Sequence, residues 1–215
     1  MPRLPIPTST DAAASPAAEV FRTDPAKGGL VFGEERVALL SGEFIRRIHF
    51  AIIEAYGDSA QDVLYRSGFE WALQTMLTLN ARRPPELGAG NELSQLDPKV
   101  VLEAWWMTFA RMGWGAASFT PNLGRPGVAH IELEHSAIAE VLGRADDPVC
   151  HVYAGLFAGA ASFIGRTERH AVEVQCRALG APSCRFVIGA ASDVDAAETM
   201  RQQGRPAAEI VEQLR

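Results

Sequence analysis

The spacing of apolar residues changes period once along this chain, near Gly113, and that change constrains the fold more than any other feature. From Gly33 to Met112 large apolar side chains recur every three or four positions. Val37, Leu40, Phe44, Ile48 and Ile52 predict a first helix closed by Gly57. Leu64, Gly68, Trp71, Thr75 and Leu79 predict a second, running to about Arg83 before Pro84 and Pro85 stop it. Residues 84–97 read as a loop. Asp97 and Pro98 then open a third helix from Lys99 to about Met112, with Pro suited to the first turn. Beyond Gly113 the period falls to two. Ala117–Thr120 and Val128–Glu134 predict strands about a Gly-Pro turn, the second with Val128, His130, Glu132 and Glu134 on one face. A helix over 148–165 follows, then a hairpin of Ala171–Cys176 and Cys184–Ile188, and exposed helix over 193–215. Helices first, then strands in antiparallel pairs, make an α+β fold with an antiparallel sheet, not an alternating dinucleotide-binding one.

With 215 residues, 47% of them hydrophobic, the chain can bury one substantial core. Residues 1–29 carry five prolines and few large apolar groups, and read as a flexible leader. The organisation expected is therefore a leader over 1–29, a folded domain over 30–190 and a helical tail over 191–215. The net charge of −6 argues against nucleic acid as a partner. No secretory signal is visible, and the uncharged stretch from Pro148 to Gly165 is too rich in Gly, Ala and Ser for a lipid-facing span. A cytoplasmic protein with reduced cysteines is expected.

All three cysteines, Cys150, Cys176 and Cys184, fall within 35 residues, with Glu173 three before Cys176. Cys176 and Cys184 flank the hairpin turn, and Cys150 opens a helix whose positive end favours thiolate. Three sulfurs and a carboxylate would make a closed tetrahedral site of structural type. Three buried, reduced cysteines are the other reading, since Cys is among the most buried residues. One objection stands on the strand: Glu173 and Cys176 point to opposite faces of a period-two element unless a bulge intervenes.

The run Cys150-His151-Val152-Tyr153-Ala154-Gly155-Leu156-Phe157-Ala158-Gly159, then Glu173-Val174-Gln175-Cys176-Arg177-Ala178-Leu179-Gly180, then Cys184-Arg185-Phe186, resembles the 4-vinyl-reductase domain family. That family includes sensor domains of phenol- and xylene-responsive activators, small archaeal proteins, and a stand-alone branch in bacteriochlorophyll biosynthesis, to which this chain looks most similar. The resemblance implies a structural zinc ion on Cys150, Glu173, Cys176 and Cys184. It also implies a fold like the TRAPP trafficking subunits, with an apolar pocket, and a homodimer. A magnesium-tetrapyrrole is then the favoured ligand, handed between biosynthetic enzymes.

Trp105, Trp106, Phe109, Met112 and Trp114 concentrate aromatic surface within ten residues. Trp105, Trp106, Phe109 and Trp114 are the candidate wall for a flat ligand, with His130 as a candidate axial or hydrogen-bonding group. Adjacent Trp105 and Trp106 diverge on a helix, which would turn one to the core and the other to a pocket or partner. His49, His135 and His151 are weaker candidates, read first as structural. Gly155 and Gly159 mark a helix face that something approaches closely. Three functions follow: a non-catalytic tetrapyrrole carrier, a reductase of the 4-vinyl (8-vinyl) group, or a small-aromatic sensor. Vinyl reduction needs a hydride or electron source, yet no dinucleotide, flavin or iron–sulfur motif is present. Binding is therefore favoured over catalysis.

Overall fold

The computed structural model describes residues 21–33, 35–82 and 92–214. They fall into two compact units divided between Ser41 and Gly42. In the first unit β1 (Phe21–Asp24), β2 (Gly29–Phe32) and β3 (Glu35–Arg36) form a small antiparallel sheet. Asp24 caps the turn between β1 and β2, and Gly28 supplies its left-handed residue at φ +61°. The leader expected over 1–29 thus contains β1 and the first residue of β2; its first twenty residues lie outside those described. The first helix starts at Gly42, not Gly33, because the residues before it are committed to strands and extended chain.

The second unit holds three long helices, α1 (Gly42–Tyr56), α2 (Ala60–Ala81) and α3 (Pro98–Arg111). Asp97 caps α3 by accepting from the Lys99 N–H at 2.8 Å, and Pro98 fills the first turn where no donor is needed. Part of the expected loop 84–97 lies outside the described residues; Leu93–Gln95 within it makes a single 3-10 turn. Then come β4 (Ala116–Pro121), β5 (Ala129–Glu134), a short α4 (Ala137–Leu142), α5 (His151–Gly165), β6 (His170–Gln175), β7 (Cys184–Gly189), α6 (Ala191–Gln202) and α7 (Ala207–Gln213). The strands form one antiparallel sheet in the order β4-β5-β7-β6. This is the helix-plus-antiparallel-sheet class that the change of period predicts.

Each face of the sheet has its own core. On the inner face Phe119, Ile131, Leu133, Ala171, Cys184, Phe186 and Ile188 pack against α5 and α3. On the outer face Val174 and Val187 meet Ala197, Ala207, Ile210 and Leu214. Residues 193–215 are therefore not one exposed helix: Gly204, at φ +75°, and Pro206 break it into two, and their apolar residues cover the sheet.

Helix α5 lies between the sheet and α2, and it touches α2 through glycine. A Cβ at Gly155 would meet the Tyr65 carbonyl, and one at Gly68 the Val152 carbonyl. The small residues that predict a close approach thus serve a helix–helix contact. No helix among the described residues is long and apolar enough to cross a membrane.

Candidate metal centre and aromatic core

Cys150 is the N-cap of α5, Glu173 lies on β6, Cys176 follows that strand and Cys184 begins β7. The objection about strand faces is answered by the strand itself. Glu173 pairs with Phe186 and Gln175 with Arg185, so β6 carries one extra residue at this point. This bulge shifts the alternation by one, and Glu173 and Cys176 both turn inward. One ligand atom from each of the four residues lies within 4.8 Å of the others, and all four residues are buried. Cys150 Sγ and Cys184 Sγ are 3.6 Å apart.

Backbone donors reach two of the four. The Cys150 N–H donates to Glu173 Oε2 at 3.0 Å, and the Arg177 N–H donates to Cys184 Sγ at 3.3 Å. Ser136 Oγ accepts from the Ala139 N–H as the cap of α4 and lies 3.4 Å from Cys150 Sγ. Glu173 Oε1 is buried with no hydrogen-bond partner. Burial, and then the charge of Cys176, push the Glu173 carboxyl well above the carboxylate range. Hydrogen bonds from Cys150 and then Cys184 hold Cys176 far below the ordinary thiol range. Cys150 moves the opposite way, first because it donates to Cys176, and Cys184 is raised as well. A buried carboxylate oxygen without a partner, beside three sulfurs, is a donor set of the kind that holds a metal ion. These four residues could hold one. His151, next to Cys150, is not part of the cluster.

The same helix carries the aromatic core. Tyr153 and Phe157 stand one and two turns beyond Cys150. Phe157 touches Trp106 and Phe186, each at 5.1 Å between ring centroids. Trp106 stacks on Phe109 at 5.1 Å with 16° between planes. Trp71 and Trp114, half-buried, meet edge-on at 5.1 Å and continue the cluster outward. The polar handles of the three buried rings are satisfied: Trp105 Nε1 donates to Thr75 Oγ1 at 2.9 Å, Trp106 Nε1 to the Gly115 carbonyl at 3.1 Å, and Tyr153 Oη to the Trp114 carbonyl at 2.6 Å. Trp105 and Trp106 do not divide between core and pocket, since both are 2% exposed. Divergence on the helix is taken up by α2 on one side and α5 on the other.

The structure brings Trp105, Trp106, Phe109 and Trp114 together but places His130 elsewhere. Its neighbour Ile131 points to the inner core, and His130 alternates with it, in register with Val187 of the outer core. Sequence reading misses Trp71, Tyr153 and Phe157 as parts of this cluster. The four-residue spacing of Tyr153 and Phe157 is the available signal, hidden in a helix apolar on every side. His135 adopts φ +54° at the end of β5, with Nδ1 3.5 Å from Glu140 Oε1.

Residues 129–190 match the family model of the 4-vinyl-reductase domain, which bears out the resemblance at the level of that domain. No curated protein matches this chain. Among solved structures, the phenol-responsive sensory domain of the transcription activator PoxR, crystallised with phenol, is similar over 88% of this chain and 94% of its own. Its identity is 20% and its TM-score 0.63. Trafficking protein particle complex subunit 3 from Naegleria fowleri, covalently bound to palmitic acid, covers 69% of this chain and 93% of its own. Its identity is 12% and its TM-score 0.51. A vinyl-4-reductase family protein from Methanocaldococcus jannaschii matches at 17% identity and TM-score 0.45, over 71% of this chain and 82% of its own. The first two establish the fold, a TRAPP-like arrangement of helices on an antiparallel sheet.

Proposed function

We propose that this chain is a non-catalytic binding domain for a flat apolar aromatic molecule, held in shape by a structural zinc ion on Cys150, Glu173, Cys176 and Cys184. The observation that carries this reading is that one helix serves both sites: Cys150 caps α5, which presents Tyr153 and Phe157 to the aromatic core. An ion joining Cys150 to β6 and β7 would fix the pitch of α5 against the sheet, and so the shape of the wall. Three thiolates and a carboxylate suit zinc in composition and number. Four protein donors complete a tetrahedral ion and leave no position for a substrate, so its chemistry here would be cross-linking.

Trp106, Phe109, Trp114, Tyr153 and Phe157 supply the wall. Trp114 sits between Gly113 at φ +85° and Gly115 at φ +115°, and the carbonyls of Trp114 and Gly115 occupy the donors of Tyr153 and Trp106. Moving that short segment outward opens space beside the rings and releases two donors for a ligand hydroxyl or carbonyl. The similar sensory domain solved with phenol supports a ligand of this class. A magnesium-tetrapyrrole, carried for bacteriochlorophyll biosynthesis, belongs to the same aromatic class but requires α3 to part from α5.

Titration of the zinc-replete protein with phenol, and separately with divinyl protochlorophyllide, tests the reading by tryptophan fluorescence and Soret absorption. Saturable quenching near one ligand per chain is expected, with both ligands recovered unchanged. Binding of the macrocycle alone assigns the carrier role. Loss of its vinyl group in the presence of NADPH overturns the non-catalytic reading. No response to either ligand overturns the binding domain.

A further inference from the structure

A groove of about 430 Å³ lies against the segment Gly113-Trp114-Gly115, within the size range of small-molecule sites. Trp114 gives its ring to Trp71, Phe109 and Tyr153, while the glycines on either side of it line the groove. One short piece of chain is thus a wall of both spaces. Ala110 from the end of α3, Ala116 from the start of β4, and Ala137 and Val141 from one face of α4 complete an apolar lining. Two polar residues edge it, His135 and Glu140. His135 is held at φ +54°, and among the described non-glycine residues only it and Arg166 have positive φ. Backbone strain of this kind collects at binding sites. The His135 carbonyl packs against Gly115, where a Cβ would lie 2.9 Å from it. Glu140 Oε1 has His135 Nδ1 and Arg177 Nη2 each at 3.5 Å. Both contacts are longer than a formed hydrogen bond, so the carboxylate is flanked by donors on two sides and keeps a place for a shorter bond.

We propose that this groove is a second binding site, for a single-ring phenol whose ring lies on the apolar lining and whose hydroxyl donates to the Glu140 carboxylate. In ligand class the site rests on the reading of the aromatic core above. In position it is independent, because it is open without any movement of Trp114. The chemistry of the groove selects the class. Its lining offers methyl groups and glycine backbone, which suit the flat face of a ring. Its edge offers a negative acceptor, which takes a hydroxyl donor in a short, charge-assisted bond and repels a carboxylate or phosphate. A phenol joins those two features in one small molecule. His135 is a positioning residue here, since its Nδ1 stands beside the oxygen that reads the hydroxyl. An open groove covers one face of the ring, so a Kd on the order of 1 mM is expected.

Nuclear magnetic resonance of the full chain during a phenol titration tests the site. The chain has five histidines, and the imidazole signal missing from His135→Gly assigns the one at the groove. Glycine suits a left-handed residue, so this variant should keep its Tm within about 2 °C. A His135 shift that saturates with a Kd on the order of 1 mM is expected. Anisole, whose oxygen is methylated, should bind about tenfold more weakly than phenol. Glu140→Gln, which keeps an acceptor but not the charge, should cost about fivefold. Ala116→Phe, at an exposed position, fills the groove and should abolish the His135 shift while phenol still quenches the core tryptophans. Saturable quenching with His135 unmoved overturns the groove site and leaves the core reading standing. A His135 shift in the wild type, with no quenching left in Ala116→Phe, supports the groove site and overturns the core reading. No response of either kind overturns both. Equal affinity for phenol and anisole, or a Glu140→Gln variant that binds as the wild type does, overturns the contact with Glu140 and the proposal with it.

Discussion

The backbone N–H of Cys150 donates to Glu173 Oε2 at 3.0 Å, while Oε1 of the same carboxylate is buried without a partner. One oxygen is thus fixed by the first turn of α5, and the other faces the three sulfurs. The bond also orients the carboxylate, since its donor belongs to another residue of the same cluster. A buried polar atom without a partner costs about 1–3 kcal/mol, more when charged. A metal ion bound beside the three sulfurs would remove that cost and offset the charge of the cluster.

The first prediction concerns the ion. Purified protein should hold one zinc per chain by elemental analysis, and Cys184→Ser or Glu173→Ala should lose it. Chelation should remove about 4 kcal/mol or more of stability, which lowers Tm by roughly 8–16 °C in a domain of this size. A chain that binds no stoichiometric metal and melts identically with and without chelator contains three structural thiols only.

Proton release gives a sharper test. In the metal-free cluster Glu173 is raised and Cys176 lowered, so the folded state moves a proton from one to the other. The raised Glu173 contributes stability that is lost as pH rises through its folded value; the depressed Cys176 contributes stability that is lost as pH falls. Between the ordinary carboxylate and thiol values the two effects cancel, and metal-free stability should be flat from about pH 5 to 8. Zinc binding must expel the protons of Cys150, Cys184 and Glu173. The affinity should then rise about a thousandfold per pH unit, at about one factor of ten per proton. Calorimetry in buffers of different ionisation enthalpy at pH 7 counts these protons; a count near zero contradicts the assignment of charge.

What the sequence shows of this site is its composition, and what it hides is the backbone that assembles it. The three cysteines, Glu173 and the hairpin can be read directly, because turn residues are local signals; that the four act together comes from the family resemblance, and strand alternation alone argues against pairing Glu173 with Cys176. The bulge after Glu173 cannot, since nothing in Val174 or Gln175 demands an extra residue; it follows from pairing with β7 and from the cluster itself. Helix α4 is invisible for another reason: six residues are under two turns, too few to display a period. Its cap, Ser136, gains meaning only when Cys150 arrives from the next helix. The cover on the outer face of the sheet is equally hard to read, because the apolar residues of α6 and α7 are mostly small Ala, spread among charged neighbours.

Glycine at the α2–α5 crossing makes a test of packing. Ala is a better helix former than Gly by about 1 kcal/mol, so propensity alone predicts stabilisation from Gly155→Ala. The added Cβ would strike the Tyr65 carbonyl, which belongs to a helix backbone and cannot step aside. Overpacking should win, with a net loss of about 2 kcal/mol in urea unfolding. At the exposed Gly57 a Cβ would meet nothing, yet φ is +55°, so Gly57→Ala should lose stability through strain alone. A neutral or stabilised Gly155→Ala would mean that the two helices can slide apart freely.

Tyr153 offers the most direct probe of how the aromatic core admits a ligand. Its hydroxyl donates to the Trp114 carbonyl at 2.6 Å, deep among rings, and burial raises its pKa far above the ordinary phenol value. It is therefore a neutral donor across the physiological range, spent on holding Trp114 in place. Tyr153→Phe removes that bond and should cost about 1–2 kcal/mol of stability. Its effect on binding depends on the ligand. For toluene, which needs only the opened space, affinity should rise, since Trp114 moves more easily. For phenol, whose hydroxyl would take the place of the Trp114 carbonyl on Tyr153, the lost partner should lower affinity by about fivefold to tenfold relative to toluene. Equal changes for the two ligands, measured by tryptophan quenching, would show that Tyr153 supports the core without reading what enters it.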